Sequence, residues 1–369
     1  MVTHIPTTAP QGVPMARIAV TGHLCLDIIP DIRTLTPQRW SQPGLLHEVG
    51  PMAWALGGAV ANTGIALHHL GADVRLIALC GTDLCGDIIC QLLQQQHPSL
   101  SETLIRTADI ATSYSVVVAP HHQDRSFWYF PGTTAMLHES HILPQLSDCT
   151  WLHVGYPPLL TTLMRDDAAP LHHLLATAQA QGLTTSVDMV VPDSAAHSGS
   201  YDWPAVLARI LPHVDLFVPS AAEICAMLRP ADYQRWLQDA ENHMDEHYLH
   251  ALCDQLLTMG VAIAGVKLGT RGLFLKAGTT PRLAHTRLPH SWAECHHWQA
   301  IYPVTVAGTV GAGDACYAAL IYALTHQLPL PTTLAMATAT AACCVEGVDA
   351  TSTIPDWSTI ARRFELLLP

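Results

Sequence analysis

Val304-Thr-Val-Ala-Gly308-Thr-Val-Gly311-Ala-Gly313-Asp314-Ala-Cys-Tyr-Ala-Ala-Leu-Ile-Tyr-Ala-Leu324 is the stretch whose reading decides the fold. Its β-branched residues alternate with small ones and predict a strand. Three glycines within six residues predict a turn, and the alanine-rich continuation predicts a helix. Such a junction is suited to anions. The first backbone N–H groups of the helix and its positive dipole end converge there, and glycine lets a phosphate come close. Asp314 does not fit a simple anion site, because a carboxylate repels phosphate. It fits if it takes the proton from a hydroxyl that attacks phosphorus, which points to phosphoryl transfer. The simpler alternative is an Asp capping an ordinary helix start. The chain has no Gly-x-x-x-x-Gly-Lys-Ser/Thr loop, and Gly308-x-x-Gly311-x-Gly313 reverses the spacing of the dinucleotide fingerprint.

Composition narrows the classes. A chain of 369 residues with 49% hydrophobic and 13% charged residues is globular and large enough to bury a sizeable core. A formal net charge of −13 argues against nucleic acid and acidic membranes as partners. A polyanionic ligand must therefore be held by dipoles, a metal or a few placed cations. The eleven cysteines include no Cys-x-x-Cys, and Cys80, Cys85 and Cys90 are spaced for neither zinc nor redox chemistry; they read as reduced, mostly buried thiols of a cytoplasmic protein. Pro6, Pro10 and Pro14 interrupt the start, where no signal peptide is expected, and no apolar run reaches the ~18–20 residues of a membrane span.

Strands and helices alternate along the chain. Strands are expected at Arg17–Gly22, 74–80, 151–154, 184–188, 215–218, 261–267 and 272–276. A glycine turn at Gly57-Gly58 enters a helix closed by Gly71, and further helices are expected near 171–181, 203–211, 221–228, 333–345 and 357–367. Tyr114–Ala119 and Ser126–Phe130 suggest a β-hairpin around the polar segment His121–Arg125, and the His-rich stretch 229–248 reads as a surface insertion. The pattern predicts one domain over 1–369, with a mainly parallel sheet covered on both faces and a small appended sheet. Ligands of such folds sit beyond the carboxyl ends of the strands, where Asp27, Gly57–Gly58, Asp188, Glu223, Gly269 and Gly311–Asp314 all fall.

Together these motifs resemble the ribokinase-like, PfkB-type carbohydrate kinases over nearly the whole chain. Gly311-Ala-Gly-Asp314 resembles the family's C-terminal signature, and Gly57-Gly58-x-x-x-Asn62 its N-terminal glycine motif. Asp27 stands at the early substrate aspartate, Gly81-x-Asp83-x-x-Gly86 matches a further element, Ser220-x-x-Glu223 resembles Asn-x-x-Glu, and Lys267-Leu-Gly269-Thr-Arg-Gly272 is similar to the nucleotide-side turn. The resemblance implies a three-layer αβα sandwich with a β-sheet lid formed by segments near 25–52 and 103–137, closing over the site and pairing two subunits into a homodimer. Asp314 would be the general base, and the N–H groups of Gly311, Ala312 and Gly313 the anion hole. Asp27, Gly57, Gly58 and Asn62 would hold the acceptor. Lys267, Gly269, Thr270, Gly272 and Thr309 would make up the nucleotide side, and Glu223 would hold Mg2+. ATP and Mg2+ are the implied cofactors; a monovalent cation is compatible with the family. The acceptor would be a sugar or a nucleoside.

Two positions depart from the family. Gly308 stands where the signature usually opens with Asp, and Ser220 replaces Asn. Both thin the polar shell around metal and phosphate, which keeps open a catalytically weak sugar or nucleotide sensor. Lys267 reads equally as a site residue or as a lysine snorkelling from a strand end, and Asp188 as a site or a structural residue. His243-Met-Asp-Glu246-His247 fits a His-x-x-Glu-His zinc pattern, but with 23 histidines in the chain such a match arises readily by chance, and Cys295-His-His297 reads as surface.

Overall fold

Ile18, Ala19 and Val20 put apolar side chains on both faces, and this double burial places the segment inside a sheet. In the computed structural model, which describes residues 16–33, 35, 43–118, 126–193, 197–236 and 239–367, Arg17–Gly22 lies between two parallel neighbours. The eight strands run in the order His296–Gln299, Leu273–Ala277, Ile263–Lys267, Leu216–Phe217, Thr184–Asp188, Trp151–Gly155, Arg17–Gly22 and Asp73–Ile77. From Ile263–Lys267 to Asp73–Ile77 every pairing is parallel, and the two strands beyond Ile263–Lys267 are added antiparallel.

Side chains alternate across the sheet, so each face carries its own core. Ile18, Val20, Leu76, Leu216, Ile263 and Leu275 join one buried cluster with helices Ala59–Leu70, Ala312–Thr325 and Leu330–Val345. Ala19, Ile77, Val154, Phe217, Val266 and Phe274 join the other, with helices Arg165–Ala180, Trp203–Ile210, Ala221–Leu228 and Glu246–Thr258. The expected αβα sandwich is the observed one. Among the described residues no helix is long and apolar enough to cross a membrane.

Past Gly22 the chain leaves this sheet and enters a second one, ordered Met52–Gly57, Cys25–Pro30, Tyr114–Val118 and Ser126–Phe130. The last two strands form the expected hairpin, Tyr114 facing Phe130 and Val118 facing Ser126; its connecting segment His121–Arg125 lies outside the described residues. The outer strands expose large apolar side chains, including Trp54 at 39% and Phe127 at 56%.

Several local expectations change. Val304–Ala307 is not a strand: Val306 is exposed, and the N–H groups of Ala307 and Gly308 donate to Val345 O instead of to a strand partner. The strand expected over 74–80 breaks at Ala78, because Asp73–Ile77 pairs with Arg17–Thr21 while Leu79–Gly81 pairs with Ile105–Thr107 in a separate two-stranded sheet. The stretch 229–248, read as a surface insertion, includes helices Pro230–Trp236 and Ala240–His243, and among its described residues only Met244 is buried. Met244 is fully buried, and Arg271 donates to the carbonyls of Glu241 and Met244.

Helix Ala312–Thr325 is pinned to the sheet by Tyr317, whose buried hydroxyl donates to Val187 O at 2.9 Å and Leu216 O at 2.8 Å. A Tyr317→Phe protein leaves both carbonyls short of a donor. It is expected to lose about 1–3 kcal/mol of stability, read as a lower midpoint in urea unfolding with an unchanged slope.

Candidate active site

The site begins at a backbone constraint. Gly311 opens helix Ala312–Thr325 with φ +76°, and a Cβ there would lie 2.3 Å from Ala350 Cβ. A side chain is excluded by conformation and by space. The first N–H groups of a helix lack intrahelical acceptors, and here Ala312 N makes only a long bond of 3.5 Å to Thr309 O, so Gly311, Ala312 and Gly313 form the start of a helix suited to an anion. Gly308 is crowded from another direction: a Cβ there would meet Gly347 O at 2.8 Å. That backbone contact accounts for glycine where the resembling family usually has Asp.

Asp314 is the focus. It is 3% exposed, and its carboxylate accepts hydrogen bonds from Asn62 Nδ2 at 3.0 Å, Thr63 Oγ1 at 3.2 Å and Tyr156 OH at 2.8 and 3.0 Å. Burial pushes its pKa up; Asn62, Lys267, Tyr156 and Thr63 hold it back. Asn62 and Thr63 stand in the first turns of helix Ala59–Leu70, which starts at Gly58. Gly58 has φ +90°, and a Cβ there would sit 2.4 Å from His23 O, so the helix can start this close to the sheet only with glycine. Tyr156 follows strand Trp151–Gly155 in the left-handed conformation, φ 61°, and its N–H donates to Asp188 O at 3.0 Å. A bulky residue rarely takes that conformation, and here it turns the phenol onto Asp314. Thr63 and Tyr156 carry no sequence motif. The one available signal for Tyr156 was its place at the carboxyl end of a buried strand.

A second charged group adjoins the first. Lys267 Nζ is 2.6 Å from Asp188 Oδ1 and 5.5 Å from the Tyr317 ring centre, and a Cβ added at Gly313 would lie 3.3 Å from Nζ. Lys267 thus reaches Gly313 and does not snorkel to solvent. Burial acts to lower its pKa, but Asp188, Glu223 and Asp314 outweigh it and keep the ammonium charged. Glu223 and Ser220 form a capping box on helix Ala221–Leu228, with Ser220 N donating to Glu223 Oε2 at 2.6 Å and Glu223 N to Ser220 Oγ at 3.3 Å. Serine therefore keeps the cap that this helix needs. The pKa values of Asp188, Glu223 and Asp314 are all raised, burial being the first cause in each. Three carboxyl groups against one ammonium leave an excess of negative charge, and hard oxygen donors in that balance fit a divalent cation such as Mg2+.

In the small sheet, Asp27 lies mid-strand in Cys25–Pro30, and its side chain reaches diagonally to Gly57, where an added Cβ would meet Asp27 Oδ1 at 2.6 Å. An adjoining cleft of about 160 Å³ is lined by Trp54, Leu56, Asn62, Asp349, Thr351 and Ser352. His23 is buried beside Tyr129 and Tyr156, with ring centres 5.3 and 6.2 Å away, and burial lowers its pKa to about 4, leaving it neutral at pH 7.

Gly269 and Thr270 stand on the turn after Lys267, and Gly272 ends it at φ +94°. A Cβ at Gly272 would lie 2.0 Å from Gln299 O, so the close approach of the neighbouring strand already requires this glycine. Among the described residues, no hydrogen bond joins this turn or Thr309 to Asp314, Asn62 or Glu223. Asp83 in Gly81-x-Asp83-x-x-Gly86 is structural: it caps helix Leu84–Gln96 through Gly86 N at 2.9 Å and holds Thr112 N at 2.7 Å. His243 and His247 of the zinc-like pattern lie on two different helices, Ala240–His243 and Glu246–Thr258, and His243 stacks on Trp236.

Comparison with known proteins gives the family and the fold. Residues 15–357 match the family described as pfkB family carbohydrate kinase. The chain is 26% identical over 246 residues to 2-dehydro-3-deoxygluconokinase of Bacillus subtilis, covering 64% of this chain and 68% of that protein. Arabidopsis thaliana ribokinase complexed with ribose and ATP superposes with a TM-score of 0.73 at 17% identity, over 96% of this chain and 99% of that one. A putative ribokinase II from E. coli in complex with ATP and Mg2+ gives 0.67 at 18% identity, over 95% and 99%. With a family match spanning nearly its whole length, on a fold shared with these solved structures, the chain belongs to the pfkB family of carbohydrate kinases.

Proposed function

We propose that the cleft transfers the γ-phosphoryl group of ATP to a hydroxyl of a sugar or sugar-like small molecule, with Asp314 as the general base. One observation carries the reading. A buried carboxylate with a raised pKa, aimed by three donors, sits within the first turn of a glycine-opened helix. In the proposed reaction the acceptor hydroxyl loses its proton to Asp314 as its oxygen attacks phosphorus, and the bond from phosphorus to the bridging oxygen of ADP breaks. The N–H groups of Gly311, Ala312 and Gly313 would stabilise the charge on the transferring group, with Lys267 adding its ammonium from beneath Gly313. Glu223, with Asp188 nearby, would hold Mg2+, which neutralises phosphate charge when bound. Gly269, Thr270, Gly272 and Thr309 would flank the nucleotide, and Asp27, Gly57, Gly58 and Asn62 the acceptor. Ribose and ATP are the ligands named for the Arabidopsis ribokinase, and ATP with Mg2+ those named for the E. coli protein; both pairs match the chemistry read here.

The exposed apolar residues of the small sheet support closure over the cleft and pairing of two chains into a homodimer. A cytoplasmic location suits eleven unpaired cysteines. A monovalent cation beside the anion hole remains compatible with the family.

A broad panel of sugars and nucleosides is the direct assay. Asp314→Asn is expected to lower kcat by ~10²–10⁴ on whichever acceptor is phosphorylated, with the fold intact by circular dichroism. Turnover surviving that change would rule out Asp314 as the base. If the panel yields binding but no phosphorylation, the chain acts as a sensor.

Tyr156→Phe removes a donor that favours ionised Asp314. The base pKa should therefore rise further, and the acidic limb of the kcat/KM profile should move to higher pH while activity persists on the alkaline side. An unmoved limb would separate Tyr156 from the base. For the dimer, sedimentation should give twice 39.9 kDa for the native chain and a shift towards monomer for Phe127→Lys; a native monomer would exclude the pairing.

A further inference from the structure

Two histidine-containing motifs are not used by the kinase site, and folding brings parts of both together. Glu246 comes from the zinc-like pattern at 243–247, and His296 from Cys295-His-His297. They meet at His250. Helix Glu246–Thr258 places Glu246 and His250 four residues apart on one face, and His296 opens the edge strand His296–Gln299 opposite. The ligand atoms of Glu246, His250 and His296 all lie within 4.8 Å of one another, the one such group of three among the described residues. We propose that these three side chains bind a divalent transition-metal ion, zinc being the test case.

The donor set is suited to it. Two imidazoles and one carboxylate match the borderline character of zinc and leave a position for water. A site for Mg2+ would instead be built almost wholly from oxygen. The rings are already arranged: His250 packs against Phe274 at 5.2 Å and against His296 at 4.5 Å, edge to face. The local charge also favours a cation. Lys276, paired in register with His296, is engaged by Asp254 at 2.6 Å on the same helix, and Glu246 Oε1, 3.9 Å from His250 Nε2, is the carboxylate that would balance the metal. The ion would tie the helix to the sheet edge across Leu273–Ala277, next to the segment that runs on to Gly311. The kinase site is elsewhere, and this proposal does not depend on the reading of that site.

The test is a titration of zinc chloride into the metal-free full-length chain against a chromogenic chelator, without nucleotide. One equivalent is expected in the native protein. Glu246→Gln, His250→Gln and His296→Asn should each weaken it at least about tenfold, since even outer-shell partners of metal ligands change affinity about 10–100-fold. His243→Asn and His326→Asn should bind as the native chain does. Because His250 is half-buried, the exposed His296→Asn protein decides the matter if His250→Gln misfolds. Zinc should also raise the Tm of the native chain and leave that of His296→Asn unchanged. Absence of a stoichiometric equivalent, native-like binding by His296→Asn, or equal Tm shifts in both proteins would overturn the site and leave only adventitious binding to a histidine-rich surface.

Discussion

A carboxylate removed from water must find donors or give up its charge, and Asp314 shows how this molecule meets that requirement. Asn62 and Thr63 approach it from one helix and Tyr156 from the end of a central strand, while Asp314 itself belongs to a third element. No two of the three elements could shift relative to one another without leaving a buried charge underpaired, an outcome costing several kcal/mol. Gly58 and Gly311 make the arrangement possible, since each stands where a side chain would collide with another segment of the main chain. The constraint that orients the proposed base also fixes how helices Ala59–Leu70 and Ala312–Thr325 sit on the sheet.

The surrounding electrostatics follow from the same burial. Asp188, Glu223 and Asp314 share one ammonium, that of Lys267, and all three carboxyl groups are driven towards their neutral forms. A site left short of positive charge is primed for a metal and for the small number of cationic groups that accompany a triphosphate. On the proposed function, this is how a chain of net charge −13 would accommodate a polyanion without a basic surface. The Gly308 and Ser220 departures look less severe in three dimensions. One is imposed by the backbone at Gly347, and the other retains a complete capping box with Glu223.

The small sheet divides its duties between wall and surface. The Asp27 side chain lies diagonally against Gly57 on the adjacent strand, Trp54 lines the cleft, and Phe127 presents apolar area to solvent on an outer strand. Asp83, caught between a helix cap and Thr112, anchors the base of this sheet to the main body. A motif that matches a family element has a structural role here.

Local chemistry was legible in the chain alone. Period-two and helical patterns located most strands and helices, glycine turns marked the starts of the two site helices, and Asp314 stood out as a carboxylate where an anion was expected. Those signals are short in range, and so were the errors. Val304–Ala307 has the composition of a strand but no partner, and the run 74–80 divides because its two halves pair with different sheets. Only the tertiary structure could decide that Tyr156 faces Asp314 across 158 positions, that Lys267 turns inward to Asp188, and that Glu246 joins His250 and His296 instead of His243. The physical reason is that strand order, not sequence spacing, sets which distant side chains share a rim of the sheet.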